Sequence, residues 1–182
     1  QEQLTSEDIY AVVDAGAQAG VLKEQEHYLI ENIFDMQSRT VTSTMTTREN
    51  IVYLDRTFSR QEVMDTLSRD SHSKIVICDN SLDKILGYVE SHTLLTMYLQ
   101  NENVVLTDPK LLRTALFVPD TTSLYEVLEL FKSTGEDFAI IVNEYALVVG
   151  IVTLNDVMSI VMGELVSNEE EYIVSRDENS WL

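Results

Sequence analysis

Thr153 and Asp156 are the residues whose types and spacing best suit a chemical role, either capping a helix or binding a ligand. They stand three positions apart in GIVTLNDVMSIV, residues 150 to 161, where an apolar segment gives way to a predicted helix. At this spacing a threonine and a carboxylate can form a capping box, in which each side chain accepts a hydrogen bond from the other residue's backbone N–H. The same groups can bind a ligand, since the hydroxyl can donate to a phosphate oxygen and the carboxylate can accept from ribose hydroxyls. By chemistry alone the capping box is the simpler interpretation.

An internal repeat supplies the elements that must position this pair. Residues 56 to 95 align with residues 120 to 159, and Gly87 matches Gly150 at an offset of 63. Each copy opens with a capping box, SRQE in the first and SLYE in the second, which predicts a helix start. Two β-branched segments follow and predict short strands, and a second helix closes each copy. One such unit is too small to be stable alone, so we predict an α+β fold in which the two repeats share a core.

The segments outside the repeat divide the rest of the chain. Residues 1 to 39 predict a helical linker of two helices that break near Gly20. The first repeat is assigned to residues 40 to 101 and the second to residues 102 to 166. Residues 167 to 182 are interpreted as a charged linker and the beginning of a further domain, so that the chain is a piece of a longer protein.

The chain is strongly acidic. It has 12 Lys and Arg residues against 31 Asp and Glu residues, which gives a formal net charge of -19 at pH 7. This charge repels phosphate backbones and anionic lipid surfaces, so nucleic acid is not expected as a partner. Its apolar runs are shorter than the roughly 18 residues of a membrane-spanning helix, so a soluble piece is predicted.

Motifs for catalysis and for metal binding are missing from the sequence. The histidines His27, His72 and His92 are scattered and match no metal-binding motif, so no metal site is predicted. Cys78 is the only cysteine, and on a predicted strand it is expected to be a small buried side chain rather than a catalytic thiol. The sequence contains no nucleophile elbow, Walker loop or dinucleotide fingerprint, and nothing in it indicates an enzyme.

Four segments together carry a family resemblance: GVLKEQEHYLIENIFDMQSRTV, STMTTRENIVYLD, IIVNEYALVVGIVTLNDVMSIVMGEL and SRDENSWL. They resemble the tandem CBS (Bateman) module of the CorC/CNNM family of bacterial inner-membrane transporters, also described as hemolysin-like or as magnesium and cobalt efflux proteins. GIVTLNDV with RDENSWL is most similar to the branch linked to polyamine export. The resemblance implies a module on the cytoplasmic face of the membrane, joined to a membrane domain and followed by a CorC-type C-terminal domain.

The resemblance also implies an adenine-nucleotide pocket between the two repeats, which holds AMP or ATP. In that context the helix N-terminus after Gly150 faces a cleft, where backbone N–H groups and the helix dipole favour phosphate. This favours a ligand-binding role for Thr153 toward phosphate and for Asp156 toward ribose. By the family pattern, Thr40 and Met45 are expected near the base and sugar and Thr46 toward the phosphates. The family pattern adds Ser73, on the first repeat's central strand, and Ile151. Ordinary turn formation and core packing remain the alternative for these residues.

The first repeat departs from this pattern. Glu90 stands where the second repeat has Thr153, and Thr93 stands where it has Asp156. A carboxylate repels phosphate and a hydroxyl cannot replace a carboxylate toward ribose, so one nucleotide site per chain is expected.

Two further departures concern the second repeat and the first loop. Asn155 replaces the glutamate that family members use with magnesium-ATP, which puts bound Mg²⁺ in doubt. Thr47 replaces a proline of the family, which makes the rigidity of the loop less assured.

The sequence therefore predicts a nucleotide-sensing regulatory module that biases a transport domain of the same longer chain. By resemblance, the CBS repeats are expected to pair into a homodimer. The alternative is a constitutive dimerisation scaffold whose nucleotide pocket is vestigial.

Overall fold

The computed structural model of the chain describes residues 4–70 and 72–163. The linker and further domain predicted over residues 167 to 182, with the SRDENSWL segment, lie outside the described residues. The α-helices are α1 Ser6–Gln18, α2 Glu24–Asp35, α3 Arg60–Arg69, α4 Ser91–Leu99, α5 Leu124–Thr134 and α6 Leu154–Met162. The strands are β1 Thr46–Thr47, β2 Tyr53–Asp55, β3 Lys74–Cys78, β4 Ile85–Glu90, β5 Leu116–Pro119, β6 Phe138–Val142 and β7 Val148–Thr153. Two short 3-10 helices cover Val41–Ser43 and Arg48–Asn50.

The predicted α+β fold and the repeat are confirmed. Each copy runs strand, helix, strand, strand, helix, as β2-α3-β3-β4-α4 and then β5-α5-β6-β7-α6. The first strand of each copy pairs in parallel with the second, β2 with β3 and β5 with β6. Both predicted capping boxes are present: Ser59 with Glu62 begins α3, and Ser123 with Glu126 begins α5.

The strands form two small sheets, one with the order β2-β3-β4 and one with the order β1-β7-β6-β5. By contacts the chain divides into two compact units. In the described residues, the helical unit comprises 4–44, 121–137 and 153–163, and so contains α1, α2, α5 and α6. The strand unit comprises the rest and contains both sheets with α3 and α4.

The helical unit begins with the predicted pair of helices. Gly20 adopts a positive φ of 72°, and the N–H groups of Val21 and Leu22 donate to the Gly16 carbonyl at 3.0 and 3.1 Å. A left-handed residue suits glycine because it has no Cβ. The break near Gly20 is therefore confirmed. Within the described residues, no helix combines the length and the apolar character needed to cross a membrane.

The strand unit holds a core that the two repeats share. Val76 and Tyr88 of the first repeat pack with Phe138 and Ile140 of the second, and the rings of Tyr88 and Phe138 lie 5.5 Å apart. The prediction that the repeats share apolar packing is thus confirmed for their strands. A second cluster places side chains of α3 and α4 over the first sheet. Its largest fully buried members are Leu54, Ile75, Ile77 and Leu94.

Cys78 provides a test of this packing. Its side chain on β3 is 0% exposed, and burial, reinforced by the negative charges of Asp55 and Asp79, raises the pKa of its thiol to about 11. Because the thiolate is the reactive form, only about a thousandth of the native thiol is reactive near pH 8. We expect an aromatic disulfide reagent to label the native chain at least about a hundredfold more slowly than the chain unfolded in guanidinium. Fast labelling of the native chain, followed by absorbance, would contradict this burial.

Candidate functional site

The N-terminus of α6 carries the residue pair that the sequence singled out. Thr153 ends β7 in an extended conformation and is the N-cap of α6. The Asp156 N–H donates to Thr153 Oγ1 at 3.1 Å, and the Thr153 N–H donates to Asp156 Oδ2 at 2.8 Å. The capping box therefore exists, and both side chains remain partly exposed.

This cap changes what the helix end can offer a ligand. Two of the first three N–H groups of α6 already have protein acceptors, since Leu154 donates to the Asp137 carbonyl at 2.8 Å and Asp156 donates to Thr153. The helix end therefore has fewer open N–H groups than the sequence argument assumed. A hydroxyl can accept and donate at once, however, so Thr153 keeps its proton for a phosphate oxygen. Among the described residues, Asp156 Oδ1 accepts no hydrogen bond, so this oxygen can accept one from a sugar hydroxyl.

Thr44 fixes the first turn of α6 and was missed by the sequence analysis. Its Oγ1 donates to the Asp156 carbonyl at 3.2 Å, across 112 residues of chain. Thr44 lies in a run of threonines, TSTMTT, in which local pattern does not distinguish one member from another. Thr40, two residues before this run, forms a backbone bridge with Ser123, and its Oγ1 lies 2.7 Å from Thr42 Oγ1.

Three other predicted site residues meet in the strand unit. β1 pairs antiparallel with β7, so that Thr46 lies opposite Ile151 and Thr47 opposite Gly150. The Met45 side chain covers Gly150, where a Cβ would come within 2.6 Å of Met45 Sδ and 2.7 Å of the Thr46 carbonyl oxygen. The structure thus brings Met45, Thr46 and Ile151 together.

Ser73 lies in the same unit but beside the other sheet, the three-stranded one. It was expected on the central strand of the first repeat, and that strand, β3, begins one residue later at Lys74. Its carbonyl accepts a hydrogen bond from the Ser91 N–H at 2.9 Å. Ser73 therefore helps to join the start of β3 to the start of α4.

An ion pair that the sequence did not reveal holds the loop after β1. Arg48 donates to the Val148 carbonyl at 2.8 Å and to Asp83 Oδ2 at 2.9 Å, while Asp83 Oδ1 accepts from the Val148 N–H at 3.1 Å. The hydrogen bond with Arg48 lowers the pKa of the Asp83 carboxyl. Asn50 also donates to Thr47 Oγ1 at 3.0 Å. These bonds constrain the loop at the position where a proline was expected.

The corresponding helix start in the first repeat is built differently. Glu90 is the N-cap of α4 and makes no side-chain capping bond. Its carboxylate pairs instead with Arg113, whose Nε lies 3.3 Å from Glu90 Oε1, and Thr93 is exposed. The two helix starts therefore present different chemistry, a carboxylate in one repeat and a hydroxyl with a carboxylate in the other.

Comparison with known proteins identifies the family of the chain. The family model described as CBS domain matches residues 107–163. A CBS domain protein of solved structure from Shewanella oneidensis MR-1 is 34% identical to this chain, with a TM-score of 0.65, and the match covers 69% of this chain and 98% of that one. The chain belongs to the family of CBS-domain proteins.

Two relatives match the chain over its whole length. The chain is 93% identical over its whole length to the polyamine export protein of Haemophilus influenzae, and it covers 42% of that protein. It is 54% identical over its whole length to the polyamine export protein of Escherichia coli K12, of which it covers 41%. The chain therefore spans about two fifths of the length of these relatives.

Two solved structures of the same fold hold nucleotides. The CBS domain of a bacterial CNNM/CorC family Mg²⁺ transporter in complex with ATP matches with a TM-score of 0.70 and 23% identity, over 76% of this chain and 98% of that one. A CBS-domain pair with bound AMP from Klebsiella pneumoniae matches with a TM-score of 0.60 and 24% identity, over 70% of this chain and 98% of that one. At these identities the likeness concerns the fold.

Gly150→Ala tests the close approach at β7. The added Cβ would collide with the Thr46 carbonyl and Met45, so we expect the free energy of unfolding in urea to fall by about 1 to 3 kcal/mol. Gly16→Ala in α1 is the control, since its nearest atom is the flexible end of Leu22 at 3.2 Å and alanine favours helix. We expect that variant to change stability by less than about 1 kcal/mol. Equal effects of both changes would contradict the packing described at Gly150.

Proposed function

We propose that this chain is an adenine-nucleotide-binding regulatory module, with one site for AMP or ATP at the N-terminus of α6. The proposal rests on the two groups that the capping box leaves available to a ligand. Thr153 keeps a hydroxyl proton and Asp156 keeps an oxygen available while the helix remains capped. Capping and ligand binding are therefore compatible, and the proposal needs no rearrangement of the cap. The nucleotide-bound structures of the same fold support it.

The charges of the site favour a nucleotide with few phosphates. The chain has a net charge of -19, which repels phosphate groups overall. The positive end of the α6 dipole attracts a phosphate locally. Asn155 offers an amide where a carboxylate would bind Mg²⁺ together with phosphate oxygens. We therefore propose that AMP binds at least as tightly as magnesium-ATP. As ligand contacts, five further residues remain predictions: Thr40, Met45, Thr46, Ser73 and Ile151.

Helix α6 offers a route from the site to the N-terminal helices. At its C-terminal end, Asn32 of α2 donates to the Val161 carbonyl at 3.1 Å, and Gly163 lies so close to Tyr28 that a Cβ there would overlap the phenol. A ligand can shift an equilibrium only by binding two arrangements with different affinity. We propose that nucleotide binding at one end of α6 biases how α2 packs at the other.

The remaining parts of the proposal concern the longer protein. The relatives are polyamine export proteins of which this chain covers about two fifths, so a transport domain elsewhere in such a protein is the natural target of regulation. We propose that the module acts on the cytoplasmic face of the bacterial inner membrane and regulates efflux of a polyamine or another cation.

Calorimetric titration with AMP, ADP and ATP, with and without Mg²⁺, tests the proposal. We expect one AMP site per chain, because Glu90 occupies the matching position of the first repeat. Asp156→Asn keeps a capping oxygen but loses the charge, so it should weaken AMP binding by about tenfold to a hundredfold, with little change in the melting temperature of the free chain.

Glu126→Gln is the matched control, because it makes the same change of charge in the capping box of α5. It should leave AMP affinity unchanged. If Asp156→Asn binds AMP as tightly as the parent, the ribose assignment is wrong. If the parent binds none of the three nucleotides, the module is a scaffold with a vestigial pocket.

We also propose that the chain forms a homodimer through its CBS repeats. Exposed apolar side chains lie on the second helix of each repeat, Leu95 and Leu99 on α4 and Met158 and Met162 on α6, and Leu99 is 73% exposed. Exposed apolar positions that recur on equivalent helices favour burial against a second copy. Light scattering should give twice the chain mass of 20.7 kDa. A single-chain mass at high micromolar concentration would contradict the proposal.

A further inference from the structure

Three side chains of metal-binding type, from α1 and α2, lie close together in the helical unit. His27 Nε2 lies 2.8 Å from Asp14 Oδ1 and 3.8 Å from Glu31 Oε1. One donor atom of each residue lies within 4.8 Å of the others. Asp14 comes from α1, and His27 and Glu31 come from successive turns of α2, so the donors converge from two helices.

These separations fit a small divalent ion of borderline softness. With metal bonds of about 2.0 to 2.1 Å, two donors of a tetrahedral zinc site lie about 3.3 Å apart. The two observed distances from His27 lie about half an ångström on either side of this value. Because Asp14 and Glu31 are on exposed helix surfaces, modest rotamer changes can correct both. Three protein donors leave a fourth position for water.

The charges around these three side chains favour the binding of a cation. Between residues 4 and 35 the chain has seven acidic side chains and one lysine. His27 is also more enclosed than the carboxylates, with 23% of its side chain exposed against 56% for Asp14 and 44% for Glu31. The imidazole is therefore held in place between two anionic groups. The turn at Gly20, closed by hydrogen bonds to the Gly16 carbonyl, fixes the register that brings Asp14 opposite His27.

We propose that Asp14, His27 and Glu31 form a binding site for a divalent transition-metal ion of the Zn²⁺ type. An imidazole donor selects such ions over Mg²⁺, which prefers an all-oxygen set. The ion takes the place of the direct contact between His27 Nε2 and Asp14 Oδ1. Bound there, it joins α1 to α2 and stabilises the helical hairpin.

Titration of the chelator-treated 182-residue chain with Zn²⁺, followed by calorimetry and by melting temperature, tests the proposal. We expect one Zn²⁺ per chain, a higher melting temperature with Zn²⁺, and neither effect from Mg²⁺ at the same concentration. Each of His27→Gln, Asp14→Asn and Glu31→Gln should weaken Zn²⁺ binding at least about tenfold.

Two controls separate ligation from general attraction. Glu7→Gln removes one negative charge from the same hairpin, and His92→Gln removes a histidine from α4; both should leave Zn²⁺ affinity unchanged. Co²⁺ gives a readout on the parent chain without any variant, because tetrahedral coordination with a histidine produces intense visible absorption. The absence of stoichiometric Zn²⁺ binding, or Zn²⁺ binding that His27→Gln leaves intact, would overturn the proposal.

Discussion

The close approach of backbone to the last strand of each repeat is the constraint on which the strand unit depends. Gly150 in β7 lies under Met45 and the Thr46 carbonyl, and Gly87 in β4 lies under the Arg113 carbonyl and Leu112. In both places a Cβ would overlap a backbone oxygen. Strand β1, which comes before β2 in the first repeat, thus pairs with β7 of the second repeat, and Arg113, which comes before β5 in the second repeat, pairs with Tyr88 in β4 of the first. The exchange adds β1 to the sheet of the second repeat and a single bridge at Arg113 to β4 of the first. Both contacts need a residue without a Cβ, which is why a glycine recurs at the matching position of the repeat.

The sequence predicted what local chemistry determines. Capping boxes, β-branched runs and a glycine between two helical patterns all act within a few residues, and the structure contains each of them. Contacts across long stretches of chain escaped prediction, because any of several threonines or carboxylates could have made them. Thr44 reaches the Asp156 carbonyl across 112 residues, and Arg48 reaches Asp83 across 35. The proposed metal site combines a local and a longer-range feature. The i,i+4 spacing of His27 and Glu31 can be recognised in the sequence, but Asp14 joins them only through the turn at Gly20.

The asymmetry of the two helix starts is the basis for proposing one nucleotide site per chain rather than two. Both α4 and α6 follow directly on a strand that carries a glycine three residues before the N-cap, Gly87 before Glu90 and Gly150 before Thr153. Their caps differ, since Thr153 and Asp156 satisfy each other's backbone N–H while Glu90 turns to Arg113. A carboxylate at the N-cap already supplies the negative charge that a helix end attracts, and a phosphate brought there would be repelled. At α6 the carboxylate belongs to Asp156 in the first turn, and the N-cap itself is a hydroxyl, which can donate to a phosphate oxygen.

Helix α2 carries two of the proposed metal ligands, and its neighbouring face contacts α6. His27 and Glu31 face Asp14 of α1, while Tyr28 and Asn32, one residue on, contact the C-terminal end of α6. A metal ion would fix α2 to α1, and a nucleotide would fix the first turn of α6. Each ligand would therefore hold one member of the α2–α6 pair. Coupling between two binding sites is reciprocal, so a nucleotide that favoured one packing of α2 on α6 would change the affinity for the metal by the same factor by which the metal changed the affinity for the nucleotide. If instead the contacts of Tyr28 and Asn32 are equal in both packings of α2, neither ligand affects the other, since no free energy distinguishes the two states.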